Sequence, residues 1–194
     1  LTAATTQANN YVFYLDSASN VSLMNFRIEA RPTASGNAGN YGNALVVRSG
    51  DNIHVNLCTI RVKGTLDNAN ASCVVLSGYI SNFDFSNNVV DSGYVSLKSS
   101  GVCEFSNFSI HHNVFQNFWS QGINLRNVTN IDVLSNEITS GVTKTGHGLT
   151  GLYLAQTSGT FNVKKNKVYL IDDKNGGKRG MQFEHINSTS SATT

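Results

Sequence analysis

Apolar and polar residues alternate along most of this chain in short runs, and the runs recur in one frame. Residues 131–138 read I-D-V-L-S-N-E-I, with apolar side chains at positions one, three and eight and an asparagine at six. Residues 83–90 (F-D-F-S-N-N-V-V), 108–115 (F-S-I-H-H-N-V-F) and 161–168 (F-N-V-K-K-N-K-V) repeat it. Residues 21–28 and 53–60 keep the frame, with Phe26 and Cys58 in the sixth place. The six copies begin at 21, 53, 83, 108, 131 and 161. Alternation is strand periodicity, and a period of roughly 20–50 residues marks stacked units, none able to bury its apolar face alone.

Ahead of each copy lies another alternating pair: Phe13/Leu15, Leu45/Val47, Val74/Leu76, Val95/Leu97, Ile123/Leu125 and Leu152/Leu154. Met181/Phe183 is a seventh, with no second half after it. Each unit therefore reads as three short strands: one before a turn, one ending before the asparagine, one after it. Stacked units predict an all-β chain with three parallel sheets around an apolar core, a parallel β-helix of about six complete rungs. One domain covers residues 1–194, with rungs over about 11–183 and a polar tail at 187–194. The asparagine suits the sharp corner because it tolerates a left-handed backbone better than other non-glycine residues. Its amide can also bond to copies above and below. At a rung spacing of about 4.8 Å, Asn88, Asn113, Asn136 and Asn166 form one ladder, which Cys58 and Phe26 continue as apolar members.

These stacked aliphatics and the internal asparagine ladder resemble the right-handed parallel β-helix proteins of the pectin-lyase-like superfamily, over about residues 11–183. The resemblance implies an architecture; one superfold hosts many activities.

Composition narrows the function classes. A net charge of +2 and 13% charged residues argue against a nucleic-acid binder, which carries a basic stripe. No apolar run reaches the roughly 18 residues of a membrane span. Abundant Asn, Ser, Thr and Gly with few Lys and Glu suit a secreted or cell-surface β-solenoid. The start at Leu1 and the stop halfway through a seventh rung read as a piece of a longer protein with flanking domains. Three cysteines cannot all pair and match no zinc spacing; Cys58 reads as an inert inward thiol.

The outward columns carry the candidate chemistry. On the third sheet Glu29, Arg61 and Asp91, then Glu137 and Lys167, alternate in sign, as stability alone would select. On the second, His54 stacks beside Asp84 with no third group, and His111 and His112 diverge at their corner. The first sheet's outward column reads Asp16, Arg48, Ser77, Lys98, Arg126, Ala155, Glu184, beside Tyr14, Asn124, Tyr153 and Gln182. Here Lys98 and Arg126 are like-charged neighbours, a repulsion that an anionic ligand would relieve. Long insertions at the third-to-first corner mark a binding edge. They bring Tyr41, Trp119, His147, Asp172, Asp173, Lys178 and Arg179 to the same groove. Aromatics beside charges and amides suit sugar rings, so the expected partner is a polysaccharide, anionic on the charge argument.

Gly146-His147-Gly148 is similar to the G-H-G signature of polygalacturonases, and Asp172-Asp173 to their aspartate pair. Here, however, the pair follows G-H-G, and the N-T-D triplet is missing. The first sheet has neither the carboxylates of glycoside hydrolysis nor an acidic calcium cluster, and the chain calls for no metal or cofactor. A metal-independent lyase needs only a base and a cation, roles open to Arg126, Tyr153, His147 and Lys178. The reading is thus a secreted or surface β-helix that binds or cleaves an anionic glycan along the first-sheet groove. A noncatalytic stalk or adhesin segment and a phage tailspike-like segment are the alternatives.

Overall fold

The structure is a computed structural model that describes residues 1–5, 10–32, 42–63, 70–141, 148–171 and 177–188. These residues contain no helix; parallel strands stack into a β-solenoid, as the alternation predicts. Third strands form a seven-stranded sheet running from Thr2–Thr5 through Arg27–Pro32, Thr59–Val62, Val89–Ser92, Val114–Gln116 and Glu137–Ser140 to Lys167–Leu170.

First and second strands do not form two separate sheets, as the alternation predicts, but one. Tyr11–Met24, Asn43–Asn56, Val74–Ser86 and Val95–His111 run unbroken through the first corner. Later rungs split there, as in Gln121–Arg126 followed by Val128–Leu134. The corner is a bend made by left-handed residues, such as Ser17 and Asn20 in one rung and Ser49 and Asn52 in the next, and the ladder bonds continue around it. The seventh rung also gains a short second strand, Asn187–Ser188, paired with Ser158 and Gly159.

The inward apolar positions fill the interior: Leu45, Ile53, Phe83, Phe85, Ile110, Leu125 and Val133 are all buried. Aromatic packing concentrates in the middle rungs, where Phe108 lies 5.1 Å from Phe83 and 4.9 Å from Phe105 between ring centroids. Cys58, Cys73 and Cys103 are buried and unpaired, and burial raises the pKa of the Cys58 thiol.

The asparagine column exists and bonds to itself as expected, but it does not make the left-handed corner. The left-handed residues at the second corner are Asn25, Leu57, Asn87, His112, Ser135 and Lys165, each one place before the column. The column residues serve as the hydrogen-bond bridges the repeat predicts. Asn113 donates its amide to Phe85 O at 2.7 Å and to Asn136 Oδ1 at 3.0 Å, while its backbone N–H donates to the same oxygen at 3.0 Å. Asn88 and Asn136 repeat the pattern, and Asn166 keeps its amide bond to Val133 O. Cys58 caps the row: its N–H donates to Asn88 Oδ1, and its thiol points to Leu23 O. Phe26 ends the column half out in solvent, against Phe13.

Leu57 is the one bulky apolar residue among those corner positions and is 53% exposed. A left-handed leucine carries about 1–2 kcal/mol of strain, which asparagine largely escapes. Leu57→Asn is expected to stabilise the fold by about 0.5–1 kcal/mol, seen as a rise of about 2 °C in melting midpoint.

Candidate functional site

Register decides which side chains meet on the first face. Asp16, Arg48 and Ser77 stack as expected, and so do Arg126, Ala155 and Glu184. Lys98 does not join them: it pairs with Val75 on one side and Asn124 on the other, in the neighbouring column. The like-charge stack of Lys98 on Arg126 is therefore absent. The cause is the first corner of the fourth rung. Leu76 to Gly78 spans two residues, whereas the paired Ser99 to Cys103 spans four, so the strand ahead of it slides by two. Burial lowers the pKa of the half-buried Lys98 ammonium.

Arg126 is exposed and lies over the Tyr153 ring, 5.1 Å from its centroid. The Tyr153 hydroxyl donates to Glu184 Oε2 at 2.7 Å, and Gln182 donates to the other carboxylate oxygen. Arg179 donates to Gln182 at 3.1 Å, extending the network by one residue. The bond to Glu184 raises the phenol pKa of Tyr153 and, with the Gln182 bond, lowers that of the carboxylate. At the other end of the face, Arg48 pairs with Asp16 at 3.9 Å. Lys98, half-buried Trp119 and Lys178 have partners of their own. Tyr41, His147, Asp172 and Asp173 lie outside the described residues. The structure thus brings Arg126, Tyr153, Glu184 and Arg179 together and leaves Arg48 several rungs away.

The enlarged corner opens a cleft that the alternation does not foretell. Ser99, Ser100, Gly101, Asn124, Arg126, Asn127 and Gln156 line a volume of about 480 Å³. Gly101, Cys103, Asn127 and Gln156 are shared with a second hollow of about 620 Å³ that reaches Glu104 and Thr129. Glu104, Phe105 and Thr129 are shared in turn with a third, which ends at Tyr79, 65% exposed. Together they form one trough along the first corner, with Arg126 at one end and an open tyrosine at the other. Its walls are rich in hydroxyls and amides, with Glu104 and Arg126 as the charged groups and Ile80 and Phe105 as apolar ones. The sequence signal was the longer gap after Leu97; its consequence needed the stacked neighbours.

A second asparagine row borders this corner on the outside. Asn52 donates to Asn20 at 2.7 Å, Asn107 to Asn82 at 3.0 Å and Asn130 to Asn107 at 3.0 Å. All five are left-handed. Each immediately precedes the first apolar position of a copy, a regularity the repeat frame could have shown.

The other faces also differ from expectation. On the second, Asp84 is joined by two histidines: His111 Nε2 at 3.0 Å and His54 Nδ1 at 3.6 Å. His111 and His112 converge, with Nδ1 atoms 3.0 Å apart and rings perpendicular, because the left-handed backbone at His112 folds its ring back. Among the described residues no set of three or more His, Cys, Asp or Glu side chains forms a metal site.

On the third face Glu29, Arg61 and Asp91 do stack, yet Glu29 is enclosed by three arginines. Arg31 Nε lies 2.7 Å, Arg27 Nη2 3.2 Å and Arg61 Nε 3.4 Å from its carboxylate. The Arg31 bond, then that of Arg27, holds the Glu29 carboxyl below its ordinary pKa despite the opposing effect of burial. A depressed folded-state pKa contributes stability above the unfolded value, and this is lost as pH falls through the folded one. Melting midpoints should therefore be flat in this respect from neutral pH down to about 4.5 and then fall, with Glu29→Gln lacking that component of the drop.

Comparison with family models, curated proteins and solved structures returned no match.

Proposed function

We propose that this chain is a secreted or surface-displayed β-solenoid that binds a polysaccharide, with the first-corner trough as its sugar-binding path. The observation that carries the reading is the trough itself. A run of Ser, Thr, Asn and Gln side chains gives paired donors and acceptors for sugar hydroxyls. Tyr79 offers an open ring face for stacking, and Arg126 supplies the one guanidinium. Because Arg126 is already placed over Tyr153 and near Glu184, charge on this face is locally balanced. The trough thus favours a neutral or sparsely charged stretch of chain.

Binding is favoured over cleavage. The Tyr153 hydroxyl is committed to Glu184, and its proton is held more tightly than in a free phenol, the reverse of what a general base requires. A pair of carboxylates facing one another across a substrate-sized gap is not found on the first face among the described residues.

Calorimetry against neutral, uronic and sulfated oligosaccharides tests this. At least one glycan should bind, and Tyr79→Ala and Arg126→Ala should each weaken it about tenfold, or about 1.4 kcal/mol. Lys167→Ala, on the third-strand sheet away from the trough, should leave it unchanged. Absence of binding to any glycan, or indifference to both trough variants, would remove the reading.

A further inference from the structure

We infer that the third face of the first two rungs is an oxyanion site, where Arg27, Arg31 and Arg61, gathered by Glu29, take a sulfate or carboxylate group carried by a glycan. Arg27, Glu29 and Arg31 alternate along Arg27–Pro32 and so project to one side, and Arg61 is the register partner of Glu29 on the next rung. The Glu29 side chain is only 3% exposed, whereas those of Arg27, Arg31 and Arg61 are 66%, 58% and 29% exposed. The carboxylate is thus the floor of the cluster and the guanidiniums its open surface.

Within salt-bridge distance one carboxylate meets three guanidiniums, an excess of two positive charges in the cluster itself; Asp91, the register partner of Arg61 on the far side, is the next carboxylate along the column and leaves Arg27 and Arg31 the freer pair. No other carboxylate there pairs with more than one arginine; the Arg48–Asp16 pair is one to one. Nor can Glu29 serve all three. Arg61 Nε lies close to it yet is buried without a hydrogen-bond partner. Each guanidinium carries five N–H donors in a planar fork suited to oxyanions, and Glu29 hydrogen-bonds one nitrogen each of Arg27 and Arg31. The outward donors of Arg27 and Arg31 therefore face solvent, pre-positioned and at positive potential. Glu29 is itself a carboxylate held by these groups, which shows the chemistry the cradle accepts.

The site does not depend on the trough; only the identification of the anion's carrier as a glycan rests on the polysaccharide reading. Thermal shift and calorimetry with sodium sulfate, against chloride at equal ionic strength, test the site directly. Sulfate should raise the melting midpoint, and Arg27→Gln/Arg31→Gln, at two exposed positions, should lose at least tenfold in sulfate affinity. Glu29→Gln, which removes the internal competitor, should bind sulfate at least threefold more tightly and recover in midpoint when sulfate is added. Dextran sulfate and polygalacturonate should bind with an affinity that falls with salt and falls again in the double variant, while uncharged dextran should ignore these substitutions. Equal sulfate affinity in wild type and double variant, or stabilisation by chloride as large as by sulfate, would overturn the site. Loss of glycan binding in the Tyr79 and Arg126 variants alone would leave the trough standing without it, and sulfate binding with an inert trough would do the reverse.

Discussion

Asn136→Ala is expected to destabilise the protein by about 3 kcal/mol, measured by urea denaturation. Asn136 Oδ1 accepts from both the backbone and side-chain nitrogens of Asn113, and its amide donates to Ile110 O at 2.8 Å and Asn166 Oδ1 at 2.9 Å. Truncation strands these groups in a site that is 1% exposed. Each buried group left unsatisfied costs about 1–3 kcal/mol before relaxation, and linked bonds fail together. The outer row provides the comparison. Asn107 also bonds to the asparagines above and below it, but in solvent, so water replaces what Asn107→Ala removes. What remains is the strain of alanine at a φ of 56°, about 1 kcal/mol, and Asn107→Gly should cost less still. Equal losses at Asn136 and Asn107 would mean that the inner row is not a dry, bridging ladder.

Gly122→Ala is expected to cost about 2–3 kcal/mol, while Gly180→Ala, at the equivalent place two rungs on, should be neutral or slightly stabilising. The two lie in one column with Gly151, each just before a paired residue of the first strand: Ile123, Leu152 and Met181. A methyl on Gly122 would approach Gly151 O and Ile138 Cγ2 to 2.6 Å and Phe118 Cε1 to 3.1 Å. Backbone of the next rung cannot retreat without breaking its ladder, so the substitution overpacks the core. At Gly180 nothing lies within 4 Å, and alanine there only narrows the unfolded ensemble. Thermal melts of the two variants should move in opposite directions or differ by several degrees. A matched loss at both would place the cost in the backbone conformation rather than in the stacked neighbour.

Much of the fold was legible because a parallel solenoid writes the same constraint into each rung. Inward positions one, three and eight must be apolar in every copy, as Ile53, Val55 and Ile60 or Ile131, Val133 and Ile138 are, and all six are buried. Asn88, Asn113, Asn136 and Asn166 stood out for the same reason: one polar type repeated at one inward place must bond to itself. The outer row, Asn20, Asn52, Asn82, Asn107 and Asn130, was equally periodic and marks the left-handed first corner, while the left-handed place at the second corner falls one residue before the inner column to which it was assigned. Little of the trough was legible. Tyr79, Gln156 and Asn127 are ordinary surface residues in sequence, and they become a path only because two extra residues between Ser99 and Cys103 enlarge one corner.

The sequence by itself determined the strand periodicity, the stacking and the buried ladder, since these follow from which residues avoid water and which can satisfy their own amides. Tertiary structure alone decided the register of the fourth rung. Alternation has a period of two, and Val95, Leu97 and Ser99 keep their facing when the strand slides by two residues. Apolar pattern therefore cannot tell Leu97 opposite Leu76 from Leu97 opposite Val74; the stacked neighbours can, and they chose Val74. That slide moved Lys98 away from Arg126 and opened the corner beside it. The arginine cradle was decided the same way. Glu29 and Arg61 could be placed in one column from sequence, but only the folded side chains of Arg27 and Arg31, closing over that carboxylate from both sides, turned an alternating stripe into a positive surface.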